Sequence, residues 1–356
     1  MRCICSSFPG REKKVAHGYY YRHMSRAEQG VYEKMLACFT ALEAGTRVLR
    51  LEGSGLWDVF FRLKLDRPDI FYYVTSFSWR FAQGSEYCEI VPEYLFDKNR
   101  IREHRKAIAA RVTKLLRPVR DKSQREKELF IHDFICDNVR YDKLKKPYSH
   151  EVTGPLINGV GVCEGIAKTV QLLCGELGVE CITAVSAADP GNGVKYAHAW
   201  NVVKIDGRYY HMDATYDNTL GRYGGRRYDY FNLDDRRFFR DHRAVIYPVP
   251  ECTDPDGFYY KVEKRSYTKL EDVRSRADQA MRKKLDYFIF HWRGGYLTRD
   301  VLVDIINELE AAAEKRGRHV ELSVNYPQAV LRAAFPEGAA GTGTVQEEQA
   351  DEAEET

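Results

Sequence analysis

The chain has 356 residues, of which 44% are hydrophobic and 30% are charged, and its formal net charge at pH 7 is only +3. This composition predicts a chain that buries a sizeable core; it argues against a largely disordered protein and gives no case for nucleic-acid binding. Nine cysteines are scattered along the chain without a Cys-x-x-Cys pair, which argues against a secreted disulfide framework. Because no apolar run suits a secretory signal or a transmembrane helix, we expect a cytoplasmic protein without membrane contact.

The N-terminal part of the chain is predicted to form an α/β region. Apolar residues at helical spacing predict a helix over Ser25–Ala44. The stretch 57–74 indicates a helix followed by a strand. A further helix is predicted over Asn99–Arg117, and its basic face indicates a solvated surface rather than a site for an anionic partner.

A cysteine lies at the start of the next clear helix pattern. In Gly161-Val-Cys163-Glu-Gly165-Ile-Ala, apolar residues continue at helical spacing as far as Leu177. The unpaired N–H groups and the positive dipole end of a helix N-terminus favour an anion. Cys163 is therefore a candidate thiolate nucleophile, and its own amide could stabilise an oxyanion. Taken alone, it could equally be a buried structural residue, as we expect Cys174 to be.

Two predicted strands follow, His198 to Ile205 and Arg208 to Asp213. They flank Asp206-Gly207, a pair favoured in type I′ hairpin turns. Pairing outward from this turn makes His198 the diagonal neighbour of Asp213 on one face of the hairpin. The order Cys163, His198, Asp213 therefore predicts a nucleophile, a general base and an orienting carboxylate.

Other residues close to these motifs carry weaker predictions. His211 lies on the same strand face and is a rival base, which we rank lower because it is nearer the turn. Trp200 and Tyr141 are expected to contact the substrate, as aromatic walls of a narrow tunnel. The pair Asp241-His242 could be a second acid/base pair, although a structural or capping role is the simpler interpretation.

Four sequence blocks together resemble the transglutaminase-like superfamily, in particular its bacterial members. In chain order they are Ile131 to Asp142, Gly161 to Ala167, His198 to Asn201 and Asp213 to Tyr216. The resemblance implies an α+β fold, with a papain/transglutaminase-like core in which the cysteine-bearing helix packs on an antiparallel sheet, plus N- and C-terminal α/β elements. It also implies the same roles for the cysteine, the histidine and the aspartate.

The resemblance leaves the reaction open, because the superfamily includes cross-linking acyltransferases, cysteine proteases, peptide N-glycanases and inactive relatives. No calcium loop of the Asp-x-Asp-x-Asp-Gly type and no paired zinc cysteines are visible, so we expect no metal and no cofactor. We expect hydrolysis of peptide, isopeptide or glutamine-type amides in a protein or peptide substrate, rather than cross-linking. The alternative is a non-catalytic protein-binding module of the same fold. The sequence does not indicate the oligomeric state.

The C-terminal part is predicted to form an α/β module followed by a tail. The module is expected to contain a strand over 258–262, helices over 269–288 and 299–315, and a last strand over 319–325. Six acidic residues crowd the last ten positions, which predicts a disordered tail; a contact of this tail with a basic surface of the same chain is the alternative. The predicted organisation is an N-terminal region 1–95, a catalytic core 96–248, a C-terminal module 249–335 and a disordered acidic tail 336–356.

Overall fold

The computed structural model describes residues 18–187, 198–337 and 345–349. Helices and β-sheets are both present within these residues, and the expected α+β class is confirmed. The chain forms two compact units, the first made of residues 1–209 and 244–250 and the second of residues 210–243 and 251–356. The boundaries of these units differ from those of the four predicted regions, since the boundary at 209/210 falls inside the predicted core 96–248.

The first unit begins with a capped helix and a small sheet. Ser25 and Glu28 form a capping box at the start of helix α1 (Arg26–Ala41), and Leu42, with φ 56°, ends this helix close to the predicted position. The strand predicted within 57–74 starts only at Tyr73. The sheet is antiparallel in the order β1-β3-β2. The elements are α1 (Arg26–Ala41), β1 (Thr46–Leu49), α2 (Gly55–Asp66), β2 (Tyr73–Arg80) and β3 (Tyr87–Tyr94).

The rest of the first unit contains the cysteine-bearing helix and the strands on which it packs. Its elements are α3 (Lys98–Leu116), α4 (Gln124–Asn138), β4 (Arg140–Tyr141), β5 (Val160–Gly161), α5 (Cys163–Glu176), β6 (Cys181–Val185) and β7 (Ala199–Ile205). Strands β6 and β7 are antiparallel. Asn201 of β7 donates from Nδ2 to the Ala167 carbonyl of α5 at 2.9 Å, and Thr183 of β6 donates to Gln171 of α5 at 2.9 Å. The predicted packing of the cysteine helix on antiparallel strands is therefore present.

The predicted hairpin turn has the backbone geometry that its sequence requires. Asp206 and Gly207 adopt φ values of 48° and 88°. Both central residues of a type I′ turn need positive φ, which is why Asp-Gly is favoured there. Strand β8 (Arg208–Met212) follows directly and passes from the first unit into the second.

The second unit is built around a five-stranded mixed sheet in the order β10-β11-β13-β12-β14. Helices α9 and α10 pack on it and share its apolar core, which includes Val273, Ile305 and Phe290. The elements after β8 are α6 (Ala214–Leu220), β9 (Phe231–Leu233), α7 (Asp235–Phe238), α8 (Tyr259–Val262), β10 (Ser266–Tyr267), α9 (Leu270–Arg282), β11 (Tyr287–Trp292), α10 (Arg299–Ala313), β12 (Glu321–Asn325), β13 (Val330–Ala334) and β14 (Val345–Glu347).

Three C-terminal predictions need correction. The strand predicted over 258–262 is the short helix α8; Phe258, Tyr259 and Tyr260 are buried there, and such tertiary packing overrides the weak strand preference of aromatic residues. The helix predicted over 269–288 stops at Arg282, Lys284 takes a positive φ of 56°, and the following residues start β11. The tail is not disordered throughout, since residues 345–349 include strand β14.

No helix in the described part of the chain is long and apolar enough to cross a lipid bilayer.

Candidate active site

Cys163 is the first residue of α5, as the sequence predicts, and only 8% of it is exposed. The preceding residue, Val162, is extended and offers no polar side chain to cap the helix. The helix starts with the Ile166 amide donating to the Val162 carbonyl at 2.9 Å. The N–H groups of the first turn therefore have no side-chain acceptor at the N-cap position, which suits an anion beside Cys163.

The glycines around Cys163 allow a close approach of main-chain segments. A Cβ on Gly165 would lie 2.1 Å from the Ser149 carbonyl oxygen, and a Cβ on Gly161 would lie 2.9 Å from Pro155. The Ser149 carbonyl also accepts from the Val162 amide at 3.1 Å. The start of α5 is thus held against the preceding loop by backbone contacts that larger side chains would prevent.

Tyr141 is paired with a residue just before the predicted nucleophile, in the same unit. Strand β4 pairs in parallel with β5, and Tyr141 stands opposite Gly161, two residues before Cys163. The Tyr141 side chain is half-buried. This position is compatible with the predicted contact with the substrate, which stays a prediction.

A largely buried cluster of two lysines and two glutamates, which was not predicted from the sequence, adjoins the start of α5. The Lys168 ammonium lies 2.9 Å from carboxylate oxygens of both Glu151 and Glu164. The Lys64 ammonium lies 2.9 Å from Glu164 and 3.5 Å from Glu151. Although burial opposes its ionisation, Lys168 and Lys64 hold the pKa of Glu164 well below its usual value. The only local signal was the i,i+4 pair of Glu164 and Lys168; the contribution of Lys64, a hundred residues away, has no sequence signal.

His198 precedes β7 and is fixed by its main chain and by ring packing. Its amide donates to Ser186 Oγ at 3.3 Å, and its carbonyl accepts from the Ser186 amide at 2.9 Å. The imidazole is half-buried and stacks on Trp200, with ring centroids 5.9 Å apart and an interplanar angle of 23°. Since Trp200 is 1% exposed, its visible role is to support the histidine ring, and its contact with the substrate stays a prediction.

Asp213 belongs to the second unit, where it caps α6. Its Oδ1 accepts from the amides of Thr215 at 2.8 Å and Tyr216 at 3.1 Å. Its Oδ2 lies 3.0 Å from Nε2 of His242. The aspartate is fully buried, so these contacts fix its carboxylate plane.

His242 lies between two carboxylates. Its Nε2 faces Asp213 and its Nδ1 is 2.9 Å from Oδ1 of Asp241. Tyr230 donates to the other oxygen of Asp241 at 2.6 Å, and the His242 ring stacks on Phe238 at 3.8 Å. Each ring nitrogen of His242 therefore faces a carboxylate oxygen. The simple structural interpretation of Asp241-His242 was therefore incomplete, because the pair holds the predicted catalytic carboxylate.

Residues 108–214 match the model of the Transglutaminase-like superfamily, and this segment includes Cys163, His198 and Asp213. The chain contains a transglutaminase-like domain. An alignment that is 121 positions long and covers 31% of this chain is 27% identical to the kyphoscoliosis peptidase of Mus musculus, and it spans 18% of that protein. The chain therefore covers less than a fifth of this relative's length.

Three solved structures align with parts of the chain. A TGase covers 48% of this chain and 50% of its own at 12% identity and a TM-score of 0.27. A candidate cysteine protease from Cytophaga hutchinsonii covers 39% of this chain and 61% of its own at 17% identity and a TM-score of 0.26. A candidate protease from Parabacteroides distasonis covers 39% and 36% at 13% identity and a TM-score of 0.23.

Within the transglutaminase-like domain, the rival base His211 is engaged elsewhere. Its Nε2 lies 2.8 Å from Oδ1 of Asp235, and its ring stacks on Phe238 with an interplanar angle of 9°. Burial lowers the pKa of His211, and Asp235 offsets this only in part. His211, Asp235 and Cys252 each offer one ligand atom within 4.8 Å of one another and could hold a metal ion.

The environments of other thiols disfavour their thiolates. A hydrogen bond with Cys181, together with burial, raises the pKa of Cys174 in the transglutaminase-like domain. Burial also raises the pKa values of Cys38, Cys88 and Cys252. A nucleophile must be the thiolate, so these four cysteines are poor candidates.

Proposed function

We propose that the protein is a cysteine enzyme that cleaves peptide, isopeptide or glutamine-type amides through an acyl-enzyme on Cys163. In this proposal His198 is the general base and acid, and Asp213 orients it. The observation that carries the proposal is the position of Cys163 as the first residue of α5, at a helix N-terminus without a side-chain cap. The match of this segment to the superfamily supports the same roles.

The proposed reaction has two stages, acylation of Cys163 and hydrolysis of the resulting thioester. The Cys163 thiolate attacks the amide carbonyl carbon, and the oxyanion that forms is stabilised by the Cys163 amide at the start of α5. His198, as imidazolium, gives its proton to the leaving amine, the C–N bond breaks, and a thioester remains. His198 then takes a proton from water, which attacks the thioester; the C–S bond breaks to release the carboxylic acid and restore the thiolate.

The contacts of Asp213 support its role as the orienting group. One oxygen caps α6 and the other faces His242, so the carboxylate is fixed before substrate binds. We propose that this fixed carboxylate selects the tautomer and the orientation of the His198 ring. His242 then acts as a positioning residue that holds Asp213.

We propose hydrolysis rather than cross-linking as the outcome. Water reaches a thioester in great excess unless the site excludes it and binds an amine. The test is to incubate the protein with a glutamine-containing peptide and an excess of labelled primary amine, and to measure free acid and amine adduct by mass spectrometry. Predominant free acid supports hydrolysis, whereas predominant amine adduct would show a cross-linking enzyme that uses the same thioester.

The Cys163→Ala variant tests the enzyme proposal itself. We expect turnover of any substrate found in a peptide and isopeptide library to fall by at least about 10⁴-fold, because no other group replaces the nucleophile. Cys174→Ala is the matched control in the same helix and should keep its activity. Undiminished turnover in the Cys163→Ala variant would refute the assignment, and the absence of turnover on every substrate would favour the non-catalytic binding module.

A further inference from the structure

The segment 345–349, which we call the C-terminal strap, adds a strand to the edge of the second unit's sheet. Strand β14 runs parallel to β12, with Leu322 opposite Val345 and Val324 opposite Glu347. The Glu348 amide then donates to the Val324 carbonyl at 2.8 Å. The strap is therefore held by main-chain hydrogen bonds, as in the binding of extended peptides to sheet edges.

Only one of the strap's side chains is buried. Val345, Gln346, Glu347 and Gln349 are exposed to solvent, whereas Glu348 is 3% exposed. One carboxylate oxygen of Glu348 accepts from Arg227 Nη1, and the other accepts from Ser323 Oγ at 2.6 Å. The edge of β12 thus carries a pocket for a single acidic side chain.

Contacts that do not involve the strap build this pocket. Arg227 is fully buried and donates from Nε and Nη2 to the two carboxylate oxygens of Asp229, at 3.1 and 2.7 Å. Asp229 is in turn held by Tyr260 at 3.0 Å and by Asn325 at 2.9 Å. The fork of Arg227 is therefore fixed by Asp229, and its Nη1 is aimed at the position of the Glu348 carboxylate.

The same contacts make the hold on the strap specific but weak. Taking a carboxylate out of water costs free energy, which offsets part of the attraction between Glu348 and Arg227. The four exposed side chains of the strap add little apolar burial. A segment attached to the same chain nevertheless occupies the pocket, because its effective concentration is in the millimolar range.

We propose that the β12 edge and the Arg227 pocket form an exchangeable peptide-binding site for an extended strand bearing a glutamate, and that the chain's own C-terminal strap occupies it in cis. The ligand class is an acidic peptide whose glutamate follows three strand residues. This inference is independent of the proposed cysteine chemistry. The contact of Glu348 with Arg227 involves a single buried basic residue rather than the basic surface that was the alternative to a disordered tail.

A labelled peptide of residues 343–352 tests the site in trans on full-length protein. Fluorescence anisotropy should show that the Glu348→Ala chain binds this peptide at least tenfold more tightly than the wild-type chain, whose own strap competes. Glu347→Ala is the matched control, since it removes an equal charge from an exposed neighbour, and it should behave like wild type. The same peptide carrying Glu348→Gln should bind the Glu348→Ala chain at least tenfold more weakly.

Hydrogen exchange of the wild-type chain gives a second measurement that needs no variant. An exchangeable strap should open locally, so that the Glu348 amide exchanges at least tenfold faster than the amides of β13. If the Glu348 amide and the β13 amides both exchange only through global unfolding, the proposal is contradicted. A folded Glu348→Ala chain that fails to bind the peptide, or one that binds the glutamate and glutamine peptides equally, also contradicts it.

Discussion

The surroundings of Cys163 and of Asp213 are built in different ways. Cys163 is positioned by main chain: a helix start and two glycines in close contact with the preceding loop. Asp213 needs side chains as well: main-chain amides hold one of its oxygens, but His242 and, behind it, Asp241 fix the other. A nucleophile positioned by the neighbouring backbone can be recognised from a local sequence motif. A carboxylate whose partners are far away in the sequence is harder to recognise in this way.

The two regions should also respond differently to substitution. Buried ionic and polar groups around each of them are satisfied by particular partners, so removal of one partner leaves the other uncompensated. Near Cys163 the cost of such a change should appear mainly as lost stability. Near Asp213 it should appear mainly as lost turnover.

The largest effect that separates the two regions is expected for Asp213→Asn. Asparagine is a good N-cap residue, so the hydrogen bonds from Thr215 and Tyr216 can persist and the fold should be kept. The amide cannot orient the imidazole as a carboxylate does, and turnover should fall about 10³- to 10⁴-fold with weak residual activity. Steady-state kinetics and a thermal melt of the same variant check this. A large drop in melting temperature with unchanged turnover would show that Asp213 serves stability rather than turnover.

Lys64→Met should have the largest effect on stability. Lys64 and Lys168 together balance Glu151 and Glu164, and methionine would leave one buried negative charge uncompensated. We expect unfolding in urea to become easier by about 3–5 kcal/mol. The control is Lys98→Met at an exposed position, which should change the unfolding free energy by less than about 0.5 kcal/mol.

The local parts of this account could be predicted from the sequence. The start of α5 and the Asp206-Gly207 turn have signals within a few residues, and the structure agrees with both. The lysine–glutamate cluster could not be predicted, because Lys64 meets its partners across about a hundred residues. The contact of His242 with Asp213 could not be predicted either, because the two residues are 29 positions apart. The burial of Glu348 could not be predicted, because it belongs to an acidic segment whose composition is typical of disorder.

A pair of substitutions at His242 separates positioning from packing. Phenylalanine keeps the stack on Phe238 but removes the donor to Asp213, whereas glutamine keeps a donor and loses the stack. If His242 positions Asp213, turnover should fall about 10- to 100-fold in His242→Phe, with KM nearly unchanged, and less in His242→Gln. Better activity in the phenylalanine variant would show that the ring serves packing alone.

The smallest predicted effect is a change in acid sensitivity at Glu164. Its pKa in the folded state is held well below its usual value, so the stabilisation is present above about pH 4.3, the unfolded value, and is lost as pH falls through the folded value. The wild type should therefore lose stability between pH 5 and pH 3 more steeply than Glu164→Gln, by about 1 kcal/mol or more. Urea titrations at the two pH values check this. If the unfolding free energies of the two proteins fall equally between pH 5 and pH 3, Glu164 does not contribute to the acid sensitivity.

Selective alkylation tests the central claim, that Cys163 is the activated thiol, most directly. Full-length protein is treated briefly with a low dose of iodoacetamide at mildly acidic pH, where ordinary thiols stay protonated, and each cysteine peptide is quantified by mass spectrometry. We predict that Cys163 is labelled first, and that His198→Ala slows its labelling while leaving the other cysteines unchanged. Labelling of Cys174 or Cys181 ahead of Cys163 would contradict the account.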